Sequence, residues 1–216
     1  MYICILHTAL KAQTQSTNIK DVTKKHLSMS LLLIQLILNA LPVILAAILH
    51  MIVVRKGWFK KWMLPLDGGR MYRGHRIFGE NKTIRGLVIM LLASILFTWI
   101  YYAFLLEYQS LEKYNLLNFQ QFGPTIYGLI FGLGYILGEL PNSFIKRQKN
   151  IPPGHSPLGL FRLIDQLDSV VFILLILVFF SSFTWKHFCI GVVFYGAIHL
   201  GINYLLYLIG IRKEAF

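Results

Sequence analysis

Asp165 and Asp168 stand three residues apart in "LIDQLDSVVFIL", at the mouth of a long apolar run. On a helix that spacing leaves the two side chains roughly 60° apart around the axis, so both can face one site. Two converging carboxylates suit a hard cation such as Mg²⁺, with waters and phosphate oxygens completing its shell. The alternative is that acids near a helix start simply favour its positive N-terminal dipole. One acid would meet that need, whereas two that converge at a membrane boundary repel each other unless a cation lies between them.

Upstream, Glu139 ends an apolar, glycine-bearing segment, and Pro141 follows where a lost backbone hydrogen bond is expected to loosen the helix. An ionisable residue in that setting is a functional candidate. Asn142, Ser143, Lys146 and Arg147 come next, and then "IPPGHSP" with Gly154 and His155. Adjacent cations before a proline-stiffened glycine turn can pin a phosphate chain, with backbone N–H groups as further donors. Lys149 reads as a juxtamembrane anchor.

A second cluster, "LPLDGGRMYRGHRIFGENKTIRG" over 64–86, carries Asp67, Asn81, Lys82, Thr83 and Arg85 among helix-breaking glycines. Asn81-Lys82-Thr83 lacks the glycine of a P-loop and no strand precedes it, so Walker-type ATP binding is excluded. Cations and a hydroxyl at an interface remain, within reach of a nucleotide or of a lipid phosphate.

The elements that must position these groups are membrane helices. Of the 216 residues 56% are hydrophobic and only 14% charged, and the mean hydropathy is +0.61; a soluble globular domain is excluded. The intervals 26–54, 86–106, 114–138, 169–185 and 187–211 hold no Asp, Glu, Lys or Arg, and most reach the ~20 residues that cross a bilayer. The expected fold is an all-α integral membrane protein of five transmembrane helices with two catalytic loops on the cytoplasmic side. The fourth interval is short, so its helix must begin within the preceding polar segment, which draws Asp165 and Asp168 to the interface.

Nine of the 21 basic residues fall in 55–85 and four in 146–168; an excess of Lys and Arg marks cytoplasmic segments, so these loops and the C-terminus are placed inside. The formal charge of +12 reads as juxtamembrane anchoring and a face suited to polyanions, not as nucleic-acid binding. Five spans then put the N-terminus outside, where Lys11, Lys20, Lys24 and Lys25 fit the rule poorly. Residues 1–28 are therefore expected to be a non-essential extension, with 29–216 a single membrane-embedded domain; the start lacks the basic front of a signal peptide. Cys4 and Cys189 are too isolated for a disulfide framework or zinc site. Gly128/Gly132 and Gly134/Gly138 are small-xxx-small pairs that predict close helix packing. His199 and Asn203 share one helix face and are expected to bond a neighbouring helix.

Ser143, Lys146-Arg147, Pro153-Gly154-His155 and Asp165-x-x-Asp168 resemble the signature of the CDP-diglyceride synthetase superfamily. The segment "PLDGGRMYRGHRIFGENKTIRG" is similar to that of its CDP-archaeol synthase branch, whose members are short, five-span proteins. Together the two motifs extend the resemblance over most of 30–211. Asp165-Gln166-Leu167-Asp168 departs from the Asp-Arg-x-Asp of the diacyl branch, and Ser156-Pro157 replace the glycines that often follow the Pro-Gly-His turn. The resemblance implies cytidylyl transfer from CTP to a lipid phosphate of the 2,3-di-O-geranylgeranylglycerol 1-phosphate type, giving CDP-lipid and pyrophosphate; phosphatidate is the alternative acceptor.

It further implies Asp165, Asp168 and Glu139 as metal ligands for Mg²⁺, and Lys82, Arg85, Lys146 and Arg147 as the catalytic cations on phosphate. Asn81, Thr83, Asn142, Ser143, Gly154 and His155 would contact substrate, and Asp67 would meet the metal, cytosine or ribose. The partners are CTP, the lipid phosphate and membrane lipids, with no nucleic acid; a homodimer is left open. "DGGR" at 67–70 mimics the start of a CDP-alcohol phosphotransferase signature whose remainder is missing. A transporter would distribute its charges through the spans, whereas these gather at one face.

Overall fold

The computed structural model describes residues 2–155 and 159–211, with side chains from Ser28 onward except that of Leu160. Five helices follow in order: α1 (Tyr2–Lys56), α2 (Ile84–Glu107), α3 (Phe119–Gln148), α4 (Leu160–Phe180) and α5 (Trp185–Leu208). Each contains a stretch long and apolar enough to cross a membrane: Ser28–Lys56, Ile84–Glu107, Phe119–Gln148, Phe161–Phe180 and Trp185–Leu208. The five-span expectation holds. Among the described residues, short 3-10 turns at Lys60–Trp62 and Gln109–Tyr114, a β-bridge between Pro65 and Thr83, and a hairpin of β1 (Met71–Tyr72) and β2 (His75–Arg76), with Met71 opposite Arg76 and Tyr72 opposite His75, are added to the α-helices.

The backbone of α1 is helical from Tyr2, so residues 2–28 continue the first span's helix. The side chain of Cys4 lies outside the described residues, as do Ser156, Pro157 and the basic pair Arg212 and Lys213. Cys189 is a free, exposed thiol.

Glycines set how closely the helices approach. A Cβ at Gly128 would lie 2.5 Å from the Ile95 Cα, and one at Gly132 2.9 Å from the Leu91 Cα, so this pair brings α3 against α2. A Cβ at Gly134 would sit 2.8 Å from the Ile173 Cγ1, and one at Gly138 2.7 Å from the Ser169 Cα, which fixes α3 against α4. The small-xxx-small reading is thus right for both pairs, and each serves a different neighbour. Gly128→Ala is expected to cost on the order of 1–3 kcal/mol, because the backbones must separate to admit the methyl; a thermal melt in detergent that does not move would contradict this.

One expectation needs correction. Pro141 neither ends nor frees α3, which runs on to Gln148; the non-helical backbone lies instead at Gly123, with φ 68° and ψ 163°. Proline withholds one N–H and leaves the rest of the ladder in place, and contact with α4 at Gly138 before it and at Asn142 and Lys146 after it holds the helix. Asn142, Ser143, Lys146 and Arg147 are therefore helical, and so are Asp165 and Asp168. The second polar segment is two helix ends joined by a short link, not a long catalytic loop.

The core has two parts. Leu36, Tyr101, Tyr127, Phe131, Leu174 and Phe183 are among the side chains filling one, and Ala46, Met90, Ala93 and Ile136 the other. The end of the bundle opposite Asp165 and Asp168 is closed by polar staples. Asn39 donates to the Tyr114 carbonyl (2.9 Å) and accepts from the Leu116 N–H (3.0 Å). Ser182 N–H reaches the Leu116 carbonyl (2.9 Å), and the Tyr127 hydroxyl the Phe180 carbonyl (2.6 Å).

Candidate functional site

The C-terminal turns of α1 and α3, the N-terminal turns of α2 and α4, and the 57–83 segment meet at the other end of the bundle. They enclose the mouth of a cavity of about 590 Å³. Asp165 is the sixth residue of α4 and Asp168 the ninth, beyond the first turn where a helix dipole acts, so the capping alternative does not account for them. The close approach at Gly138 instead sets both beside α3. The Asn142 amide nitrogen bonds both carboxylates, the Asp165 Oδ1 and, at 2.9 Å, the Asp168 Oδ2. Lys146, one turn further along α3, donates to the Asp165 Oδ2 (2.8 Å) and Oδ1 (3.2 Å). Asp168 also accepts from the Ser169 N–H at 2.6 Å.

Across the cavity Lys82 forms an ion pair with Glu139, which joins the segment ahead of α2 to α3. Thr83 caps α2, its hydroxyl accepting from the Gly86 N–H at 3.1 Å. Arg85 is buried and donates from Nη1 to the Trp58 carbonyl (3.0 Å), leaving its Nε without a partner. Arg147 is likewise buried; Nη2 donates to the Pro152 carbonyl (3.1 Å), and Nε and Nη1 have no partner. Guanidinium donors left unpaired in a buried cleft are costly unless something anionic arrives to take them. Gly79 is required beside Arg147: its φ is +91°, and a Cβ there would come within 3.0 Å of the Arg147 Nη1.

Of the residues singled out in the sequence, Asn81, Lys82, Thr83, Arg85, Glu139, Asn142, Ser143, Lys146, Arg147, Gly154, Asp165 and Asp168 all line this one cavity. Asp67 and His155 do not. His155 is exposed, with Nδ1 3.4 Å from the Pro153 carbonyl. Asp67 has a buried carboxylate that is fully engaged within the 57–83 segment. Its Oδ1 accepts from Arg76 Nη2 (2.7 Å) and Gly69 N–H (3.0 Å), and its Oδ2 from Phe78 N–H and Gly79 N–H (3.0 Å each). Those bonds shape the turn that delivers Gly79 to Arg147, and this accounts for the aspartate without a substrate.

Burial alone would raise the Asp67 pKa, but the Arg76 guanidinium and three backbone donors outweigh it and hold the carboxyl well below the usual carboxylate range. A depressed native pKa adds stability above the unfolded value of about 3.9 and loses it as pH falls toward the native value. Asp67→Asn should therefore melt below the wild type at neutral pH, with the gap narrowing below about pH 4. A gap that is constant with pH would remove the ion pair from this account.

Three further polar groups line the cavity: His50 was given no role from sequence, and His199 and Asn203 were expected to bond a neighbouring helix. His50, on α1, lines the cavity with Nδ1 buried and unpartnered, and its Nε2 lies 3.2 Å from where a Cβ of Gly86 would stand. A lone histidine within an apolar span was its signal. His199 Nδ1 lies 2.9 Å from the Gln166 carbonyl, and Asn203 donates to the Gln166 Oε1 at 2.8 Å. The expected bond between neighbouring helices is present, and it holds α5 to the stretch of α4 between the two aspartates.

Charge at the mouth is balanced: Lys82, Arg85, Lys146 and Arg147 face Glu80, Glu139, Asp165 and Asp168. A polyphosphate adds several negative charges and enters such a site favourably when a cation comes with it. The donor set fits Mg²⁺, which is ordinarily held by one or two carboxylates together with substrate phosphates. The oxygens of Asp165 and Asp168 already converge on the one donor of Asn142. Glu139 is engaged by Lys82, and no group of three His, Cys, Asp or Glu side chains gathers as a metal centre among the described residues.

Fold and site together define a five-span membrane protein with a charged, half-buried cleft at one end of its helix bundle. The family model described as CDP-archaeol synthase matches residues 29–216. A CDP-archaeol synthase of Methanococcoides burtonii is 34% identical over 165 residues, which is 69% of this chain and 89% of that protein. One of Archaeoglobus fulgidus is 32% identical over 155 residues, 69% of this chain and 82% of the relative. The chain belongs to the CDP-archaeol synthase family. A solved intramembrane enzyme for archaeal membrane lipid biosynthesis has the same fold, with a TM-score of 0.55, 22% identity, and coverage of 77% of this chain and 91% of that one.

Proposed function

We propose that the protein transfers a cytidylyl group from CTP to an isoprenoid ether lipid phosphate, forming CDP-archaeol-type lipid and pyrophosphate. Membership of the CDP-archaeol synthase family carries this reading. Its chemical support is the meeting of four cations with the convergent Asp165 and Asp168 at the mouth of a cavity that continues into apolar surroundings. An oxygen of the lipid phosphate attacks the α-phosphorus of CTP, and the bond from that phosphorus to the bridging oxygen breaks, releasing pyrophosphate.

Little covalent work falls to the chain, whose task is alignment and charge compensation. Arg147 and Arg85 offer unpaired donors to phosphate oxygens. Lys82 and Lys146, each held by a carboxylate, present ammonium groups in fixed positions. Asn142 and Lys146 keep Asp165 and Asp168 convergent, and those two carboxylates would hold Mg²⁺, which supplies Lewis-acid polarisation of the phosphoryl oxygens. Glu139 sets Lys82. Asn81, Thr83, Ser143 and Gly154 border the nucleotide's place. The excess of Lys and Arg beside this end supports a cytoplasmic orientation of the site in the cell membrane.

Purified protein given CTP and Mg²⁺ should release pyrophosphate with the geranylgeranyl ether phosphate, and more slowly with phosphatidic acid in a parallel arm. Faster release with phosphatidic acid would make it a phosphatidate cytidylyltransferase, and release with neither would overturn the reading.

A further inference from the structure

The cavity does not stop at the charged mouth. Among the helix faces that line it inward are those of α1 from Met51 to Ala40, α4 from Asp165 to Leu177, and α5 from Leu206 to Tyr195. At about 1.5 Å per residue these faces run ~16, ~18 and ~16 Å. Half of a ~30 Å hydrocarbon core, the depth spanned by one lipid chain in its leaflet, is about the same length.

We infer that this inner chamber holds one isoprenoid chain of the lipid phosphate and gauges its length against a fixed floor. The inference rests on the proposed cytidylyl transfer. Below the mouth apolar side chains such as Val43, Ile44, Ile173 and Ile198 share the lining with Asn39, Ser169, Tyr195, His199 and Asn203, each hydrogen-bonded within the protein, so the space left suits a hydrocarbon chain. Continuity with the mouth would place the attached phosphate among the cations while its chain lies below. α1 and α5 touch only sparingly, so the wall between them is where a chain can pass in from the bilayer.

The floor is built not to yield. Asn39 lines it, and its amide is bonded to both the Tyr114 carbonyl and the Leu116 N–H. The Tyr195 hydroxyl donates to the Leu36 carbonyl at 2.8 Å, which ties α5 to α1 at the same depth. Ala40, 5% exposed and lining the cavity, is the smallest side chain at that level, so its size sets the space left for the chain's end.

The test compares kcat/KM for glycerol phosphates bearing geranylgeranyl or shorter farnesyl chains. Ala40→Leu should lower the geranylgeranyl-to-farnesyl ratio by about tenfold or more, the discrimination a hydrophobic pocket gives per added methylene or two. Leu177→Ala, which removes bulk from the floor on α4, should raise the ratio for geranylfarnesyl over geranylgeranyl chains, and it decides the question if Ala40→Leu does not fold. Ratios that stay at the wild-type value in the folded variants overturn the gauge, whatever the absolute rates. A wild type that forms no CDP-lipid with either chain overturns the activity itself and the gauge with it; an active wild type with unmoved variant ratios overturns the gauge alone.

Discussion

Asp168→Asn is expected to lower kcat by roughly 10²–10³-fold while leaving the protein folded, the scale on which one electrostatic contact to a transferring phosphoryl group is felt. The substitution keeps the volume, and the 2.6 Å contact with the Ser169 N–H can be kept by the amide oxygen. What it removes is one of two charges converging on a single point. Asn142 then faces an amide on one side and a carboxylate on the other, and the hold on a divalent cation that we propose for the pair should weaken. Asp165→Asn should do the same and, in addition, release Lys146, whose bonds to both Asp165 oxygens are 2.8 and 3.2 Å. Activity at various Mg²⁺ concentrations separates the causes: both variants should need more Mg²⁺ for half-maximal rate. Full activity at the wild-type requirement in both would remove them from the metal site.

Lys82→Met is expected to be the second large loss, and its partner shows why. With side chains 19% and 26% exposed, the Lys82–Glu139 pair is partly screened, so breaking it should cost less than the ~3–5 kcal/mol of a fully buried pair. The single variants Lys82→Met and Glu139→Gln should each lower the melting temperature by leaving one charge alone in the cleft. The double variant should regain part of that stability, since no unpaired charge remains. Activity should not follow. If the ammonium compensates phosphate charge, the double variant stays at least about 10²-fold below wild type. A double variant recovering both stability and rate would reduce Lys82 to a structural pair.

Much of this was legible in the sequence because membrane helices announce themselves. Charge-free runs give the spans, small-xxx-small glycines give the contacts, and Asp165 and Asp168 at three-residue spacing already share a face. Helix ends were less legible. Pro141 suggested a break, yet α3 continues past it because tertiary contact with α4 outweighs one missing hydrogen bond. The assignment of Asp67 to substrate failed to foresee a local fact, that Arg76 and three backbone N–H groups consume both its oxygens. Pairing within an irregular, glycine-rich segment has no periodicity to betray it. His50 and Gln166 were passed over for a related reason: one polar residue on an apolar helix gains meaning only when neighbouring helices show what it faces.

CTP labelled at the α-phosphorus, incubated with purified protein, Mg²⁺ and geranylgeranyl glycerol phosphate, should put its label into the organic phase as CDP-lipid, and EDTA should prevent this. Label that stays wholly in the aqueous phase with a folded protein, or that reaches the lipid equally well from the Asp165→Asn, Asp168→Asn double variant, would contradict the account.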